Sequence, residues 1–205
     1  MRRTNCDRGG TSMTSDHSQR ASRPVEAAPG LLVHPTTDRR LASEHWLLST
    51  LPALLRHRAR LEWKQHHVAM MPLGTLFSAV RIPSRLVVAL AGSSEADCLD
   101  AFLAEALGGG PVISDPRFSR LYALVPARMS ATLHQVADTW RALEVECLGR
   151  GSYLGVPRLD AVPREHAFAC YWSVPMDSAA MLCSPLTVAR LIAAGKHCLA
   201  MEPEA

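Results

Sequence analysis

Several things are missing from this 205-residue chain, and each absence removes a class of function. No run of 18 apolar residues occurs, so no transmembrane helix is expected. The N-terminal arginines have no apolar segment behind them, so a secretory leader is not expected. There is no P-loop, no G-x-G-x-x-G after a strand, no G-x-S-x-G and no H-E-x-x-H. Asp-x-Asp is absent too, the usual way for a strand to place two metal-binding carboxylates on one face. Six cysteines are present without close C-x-x-C spacing. In the cytoplasmic chain this reading expects, they are reduced thiols, several of them buried as small hydrophobes. A zinc site of Cys183, His197 and Cys198 is the alternative, with a spacing that fits no standard ligand pattern.

The basic excess is small and confined to one end. Residues 1–40 hold seven arginines against four acidic residues, and the remainder holds fifteen basic and fifteen acidic residues. The folded part is therefore neutral, without the basic excess of a dedicated duplex-DNA binder. Residues 1–40 are rich in Ser, Thr, Arg, Asp, Gly and Pro and have no apolar period before Leu31. They are expected to form a disordered tail, either merely solvated or an arginine-bearing arm for nucleic acid or an acidic partner. A 48% hydrophobic content supports one domain over 41–197, with 198–205 as a flexible C-terminus.

Ser43 is placed to cap a helix from Glu44, whose apolar face would carry Leu47, Leu51, Leu54, Leu55 and Leu61. Pro52 either kinks that helix or starts a second one. Arg56, Arg60 and Lys64 recur every four residues and share a face, with His57, Arg58 and His66 nearby. That face is either the wet side of an amphipathic helix or a phosphate-facing surface.

Strands are expected at Val68–Leu73 and, beside it, Phe77–Ile82. Helices follow from Pro83 to Ala91 and, capped by Ser94 with Asp97, to Leu107, where Gly108–Gly110 stops the chain. Pro111–Ser114 and Leu121–Val125 read as a hairpin around an Asp-Pro-Arg turn, with Asp115 as a turn-capping residue. A helix over 129–142, strands at 144–148, 153–156 and 168–174, and a helix from Leu186 stopped by Gly195 complete the pattern. The order predicts an α+β fold, a single domain with a mixed or antiparallel sheet packed with helices, and no internal repeat.

The most informative stretch is Gly149-Arg150-Gly151-Ser152-Tyr153-Leu154-Gly155-Val156-Pro157. It reads as a tight turn between two paired strands, holding Arg150 out where it could meet a phosphate or carboxylate. Glu144-Val145-Glu146 has period-two spacing, read either as a strand's solvent face or as rearranged metal ligands. His134 and His166 are isolated, and His66-His67 precede the first long strand.

The series Met71-Pro72-Leu73-Gly74, Phe77-Ser78-Ala79-Val80-Arg81-Ile82-Pro83, Leu121-Tyr122-Ala123-Leu124-Val125-Pro126 and the Gly149–Pro157 segment, after a leading helix, resembles small actinobacterial proteins related to the bifunctional DNA primase/polymerase N-terminal domain. In that family a helix leads into a V-x-P-L strand, and a Y-F-x-V-P-like strand precedes an R-G-x-G-G-Y-V-V-A-P hairpin. The resemblance covers roughly residues 44–195. Active members carry Asp-x-Asp on a strand between the first motif and the tyrosine strand. Here that interval has no such pair, and Arg120-Leu121 stands where a histidine commonly precedes the tyrosine strand.

The resemblance therefore implies a primase–polymerase-like fold that has lost its metal site and binds nucleic acid (DNA or RNA) or a nucleotide. Arg150, between Gly149 and Gly151, would contact phosphate together with Arg158, Arg56, Arg60 and Lys64. No catalytic residue, cofactor or membrane partner is expected. Two other classes stay open: a non-enzymatic protein-interaction module, and an atypical nucleotidyltransferase using Glu144 and Glu146.

Overall fold

The computed structural model describes residues 24–28, 31–33, 36–129, 137–161 and 170–201. It divides into two compact units, Met1–Pro35 and Thr36–Ala205. The first holds two short antiparallel strands, β1 (Val25–Ala28) and β2 (Leu31–Val33). Much of the segment expected to be a loose tail, residues 1–23, lies outside the described residues. Among the described residues, Thr36–Arg40 depart from that expectation, because they already belong to a helix.

The second unit is an α+β fold. Its helices among the described residues are α1 (Thr36–Leu48), α2 (Ala53–His66), α3 (Ser84–Ala91), α4 (Ala96–Ala106), α5 (Ala137–Ala142) and α6 (Pro185–Met201). Its strands are β3 (Val68–Pro72), β4 (Phe77–Pro83), β5 (Val112–Asp115), β6 (Arg120–Pro126), β7 (Glu146–Leu148), β8 (Tyr153–Pro157) and β9 (Tyr171–Val174). None of the helices among the described residues is long and apolar enough to cross a membrane.

Five strands form one antiparallel sheet in the order β7-β4-β6-β5-β9, while β3 and β8 pair only with each other. Period-two alternation divides the sheet's side chains between two cores. Val80, Ile82, Leu121, Ala123 and Val125 join the cluster that also takes in α3, α4 and α6. Phe77, Ala79, Ile113, Leu124 and Trp172 join the cluster containing α1, α2 and the β3–β8 pair. Both faces are covered, which is why β4 and β6 read as nearly continuous apolar runs.

The expected pairings change in two places. Strand β3 is not bonded to β4, and β7 is not bonded to β8. Instead the chain segments β3–β4 and β7–β8 run antiparallel beside each other. Arg81 faces Glu146 and Ala79 faces Leu148 in the large sheet, and Pro72 faces Tyr153 beyond it. The Leu73 N–H donates to Ser152 O at 2.9 Å, keeping the two segments together between the ladders. Gly149–Ser152 is thus a corner between sheets and not a hairpin tip.

The corner is a β-turn closed by Ser152 N–H to Gly149 O at 3.0 Å, with Gly151 at φ +88° in its third position. A positive φ there is what makes glycine fit. Across from it Gly74 sits at φ +85°, and a Cβ on it would come within 2.6 Å of Arg150 Cα. Gly74 lets the two backbones touch where the ribbon leaves the sheet, while Gly151 supplies only the turn's positive φ.

Other departures have local causes. Pro52 does start a second helix, and α1 begins seven residues before Ser43, which lies fully buried inside it. Leu47 and Leu51 are buried, yet Leu54 is 93% exposed, and Leu55 and Leu61 are also exposed. Ala59 and Trp63 form the inward stripe of α2 instead, with the Trp63 indole N–H donating to Val156 O at 2.9 Å. Helix α4 has Glu95, not Ser94, at its N-cap, and Ser93 Oγ accepts the Glu95 N–H. Helix α6 runs through Gly195 to Met201, beyond the expected flexible C-terminus at 198. A Cβ on Gly195 would lie 2.8 Å from Leu86 O, so this glycine permits the α3–α6 crossing and does not end the helix.

Candidate phosphate-binding cleft

Helix α2 is held by Trp63 against β8, and this fixes where its basic face looks. Arg60 and Lys64, one turn apart, open onto a cleft of about 320 Å³. Arg40 and Glu44 of α1 form a second wall, and Arg158 and Asp160, just after β8, a third. The Arg158 N–H donates to His67 O at 2.8 Å, so the end of α2 and the end of β8 are tied together.

Two of the four cations are held by carboxylates. Arg60 Nε meets Glu44 Oε1 at 3.0 Å, and Arg158 grips Asp160 with Nε at 2.5 Å and Nη2 at 2.7 Å. Burial opposes ionisation of Asp160, but the Arg158 hydrogen bond and charge, with Arg40 adding to them, hold its carboxyl below the usual carboxylate range. Arg40 and Lys64 form no ion pair with any described residue. The cleft thus holds four positive charges against two negative ones. A forked, anchored arginine beside a mobile ammonium suits the oxygens of a phosphate.

Three of the residues singled out in the sequence, Arg60, Lys64 and Arg158, are therefore brought together. Arg56 is not among the residues lining the cleft; its Nε donates to Leu51 O at 3.1 Å and steadies the α1–α2 turn. Arg150 is exposed on the corner turn between Gly149 and Gly151 and does not line the cleft either. Arg40 was missed because the sequence placed it in the tail.

The carboxylates do not converge. Glu144, at φ +60°, accepts from Arg85 at 2.8 Å and has Arg120 at 3.5 Å. The Arg85 hydrogen bond and charge, reinforced by Arg120, hold its carboxyl below the usual range. Glu146 pairs with Arg81 at 2.6 Å. Asp115 lines a separate pocket of about 320 Å³ with Tyr122 and Cys170. On β5, Ile113 and Asp115 share a face at period two, so only one of the two positions offers a carboxylate. No group of three or more potential metal ligands forms among the described residues, which include Cys183, His197 and Cys198. Cys183 lies buried, its thiol pushed up to about 12 by desolvation. Cys6, His134 and His166 lie outside the described residues.

No family model matches this chain, and neither the curated proteins nor the solved structures contain a match to it.

Proposed function

We propose that the chain is a non-catalytic, primase–polymerase-like domain of the cytoplasm that binds nucleic acid or a nucleotide through the cleft of Arg40, Arg60, Lys64 and Arg158. The observation that carries this reading is the convergence of four cations, from two helices and a strand end, on one concave surface of an otherwise neutral domain. Phosphate contacts of this kind give affinity without sequence preference. Two phosphates held on a single strand give a log–log salt slope near −1.4, so raising salt about fourfold weakens binding about sevenfold.

Anisotropy titration of labelled single-stranded and duplex DNA at two salt concentrations tests this. Lys64→Ala should weaken binding and flatten the salt slope by about 0.7. Arg150→Ala, outside the cleft, is the internal comparison. No binding at low salt, or equal binding by wild type and Lys64→Ala, removes the proposal.

One observation favours a second reading, a protein-docking module. Leu54, Leu55 and Leu61 on α2 and Met70 on β3 are large apolar side chains left exposed. A partner that co-purifies after nuclease treatment and is lost in Leu61→Ser would support it, and retention of that partner by the variant would refute it.

A further inference from the structure

Phe118 is 69% exposed, and the short turn that carries it, Pro116–Phe118, buries none of its residues. The ring therefore adds nothing to either core. Its backbone is nonetheless tied down. Ser119, at φ +51°, donates its N–H to Pro116 O at 3.3 Å, and its own carbonyl accepts the Ser84 N–H at 3.0 Å. The tip between β5 and β6 is thus fastened to the start of α3. A lone exposed aromatic residue is ordinary on a protein surface. One held on a fastened turn among arginines is a surface on which a flat group can stack.

Cations stand around this ring. Arg117 precedes it, is exposed, and forms no ion pair with any described residue. Phe118 also lines a cavity of about 230 Å³ together with Arg85, Arg120 and Glu144. There Glu144 Oε2 takes Arg85 Nη1 at 2.8 Å and Arg120 Nη1 at 3.5 Å, so one carboxylate serves two guanidinium groups. Glu144 and Arg85 are each about half exposed, and an ion pair open to water holds weakly. A phosphate brings more charge and more oxygens for the two forks, so it competes well for both arginines.

The cavity around Tyr122 lies between this tip and the cationic cleft. It takes Arg117 and Phe118 from the tip and His66 from the end of α2, two residues past the cleft's Lys64. We propose that the Phe118 tip is a second contact for single-stranded nucleic acid, with one base stacked on the Phe118 ring and a neighbouring phosphate held by Arg85 and Arg120. Such stacking tolerates any base, because every base has a π-face. A duplex keeps its bases stacked on one another, so the tip selects single strands. The inference rests on the nucleic-acid reading and deepens it by naming the form of strand, and it uses no residue of the cationic cleft.

The test compares two labelled strands of equal length, an oligothymidylate and its fully abasic counterpart, which carry the same phosphates and differ only in their bases. Each is titrated into the full chain by anisotropy. Wild type should bind the thymidylate strand about fivefold or more tightly than the abasic one. Phe118→Ser, at an exposed position, should lose that preference and leave the affinity for the abasic strand unchanged. Arg85→Gln should weaken both strands and flatten the salt slope by about 0.7. Lys64→Ala should weaken both strands and keep the preference. Equal binding of the two strands by wild type, or a preference that survives Phe118→Ser, overturns the assignment. The comparison on wild-type protein stands even if a variant folds poorly. If both strands bind alike and through Lys64, the cleft stands and the Phe118 contact falls, the result also expected of a tip that holds a protein; if neither strand binds at low salt, both fall.

Discussion

Asp100 offers the sharpest test of how the helical layer is held to the sheet. It lies half-buried on α4, accepts a hydrogen bond from Ser173 Oγ of β9, and is bonded to Tyr171 as well. Burial pushes its carboxyl from 3.8 up to about 6, against the pull of the Ser173 hydrogen bond and with added repulsion from Asp97. The native state therefore keeps a proton that the unfolded chain has already lost between those values. The sign follows directly: Asp100 costs nothing well below pH 4, its cost grows through pH 4–6, and it is fully present above about pH 6.

The rise from 3.8 to about 6, at about 1.4 kcal/mol per tenfold change in proton affinity, gives an upper figure near 3 kcal/mol. Because the group is only half-buried, solvent screening reduces this to about 1–1.5 kcal/mol. Asp100→Asn keeps an acceptor for Ser173 and removes the charge. It should stabilise the protein by about 1 kcal/mol at pH 8, or roughly 2–4 °C in Tm for a domain of this size. At pH 4 it should change almost nothing. Urea unfolding of both proteins at pH 4, 6 and 8 measures the difference. A variant less stable than wild type at pH 8, or a difference that does not vary with pH, would refute the argument.

Three further outcomes are expected. Glu44→Gln and Asp160→Asn, which release Arg60 and Arg158 from their carboxylates, should each strengthen single-stranded DNA binding and steepen its salt slope by about 0.7; weaker binding in both would count against the cleft. Gly74→Ala should destabilise by more than about 2 kcal/mol in denaturant titration, since it combines a positive φ with a clash against the Arg150 backbone, and a neutral effect would mean the corner can flex. Trp63→Phe should cost about 1–3 kcal/mol by leaving Val156 O without its buried donor, and should weaken DNA binding along with it.

The strands were legible because their apolar runs are short and bounded by proline and glycine. Val68–Pro72, Phe77–Pro83 and Arg120–Pro126 fall where the pattern put them. The β5–β6 hairpin was legible as well, but the pairing of β3, β4, β7 and β8 was not. A Gly-Arg-Gly turn between two apolar runs signals a reversal, but the same turn chemistry serves a chain that passes from one sheet to the next. Gly195 misled for a related reason: past an apolar period a glycine suggests a stop, whereas a close helix crossing needs the same missing Cβ. Leu54, Leu55 and Leu61 have helical spacing, but Trp63 is larger and has a carbonyl to bond, and it sets which side of α2 faces in.

The site was half legible. Arg60 and Lys64 could be grouped by helical periodicity, since that is a local relation. Arg40 and Arg158 join them only through tertiary packing. Asp115 follows a strand and precedes a proline, so turn capping accounted for it in the sequence. Only the sheet's alternation, which puts it on one face with Ile113, makes it part of the lining of the Tyr122 pocket.

The ribbon of β3 and β8 has a thermodynamic consequence. Two strands alone are barely self-sufficient in water, and this pair is braced chiefly by the Trp63 anchor and by the side chains it buries. Yet it supplies Val68, Leu154 and Gly155 to one cavity and leads straight into Arg158 of the other. Under the proposed function, recognition would thus rest on a two-stranded arm with little stability of its own. Whatever docks there must slow amide exchange along Val68–Pro72 and Tyr153–Pro157 before it affects the five-stranded sheet, so occupancy and local order rise together.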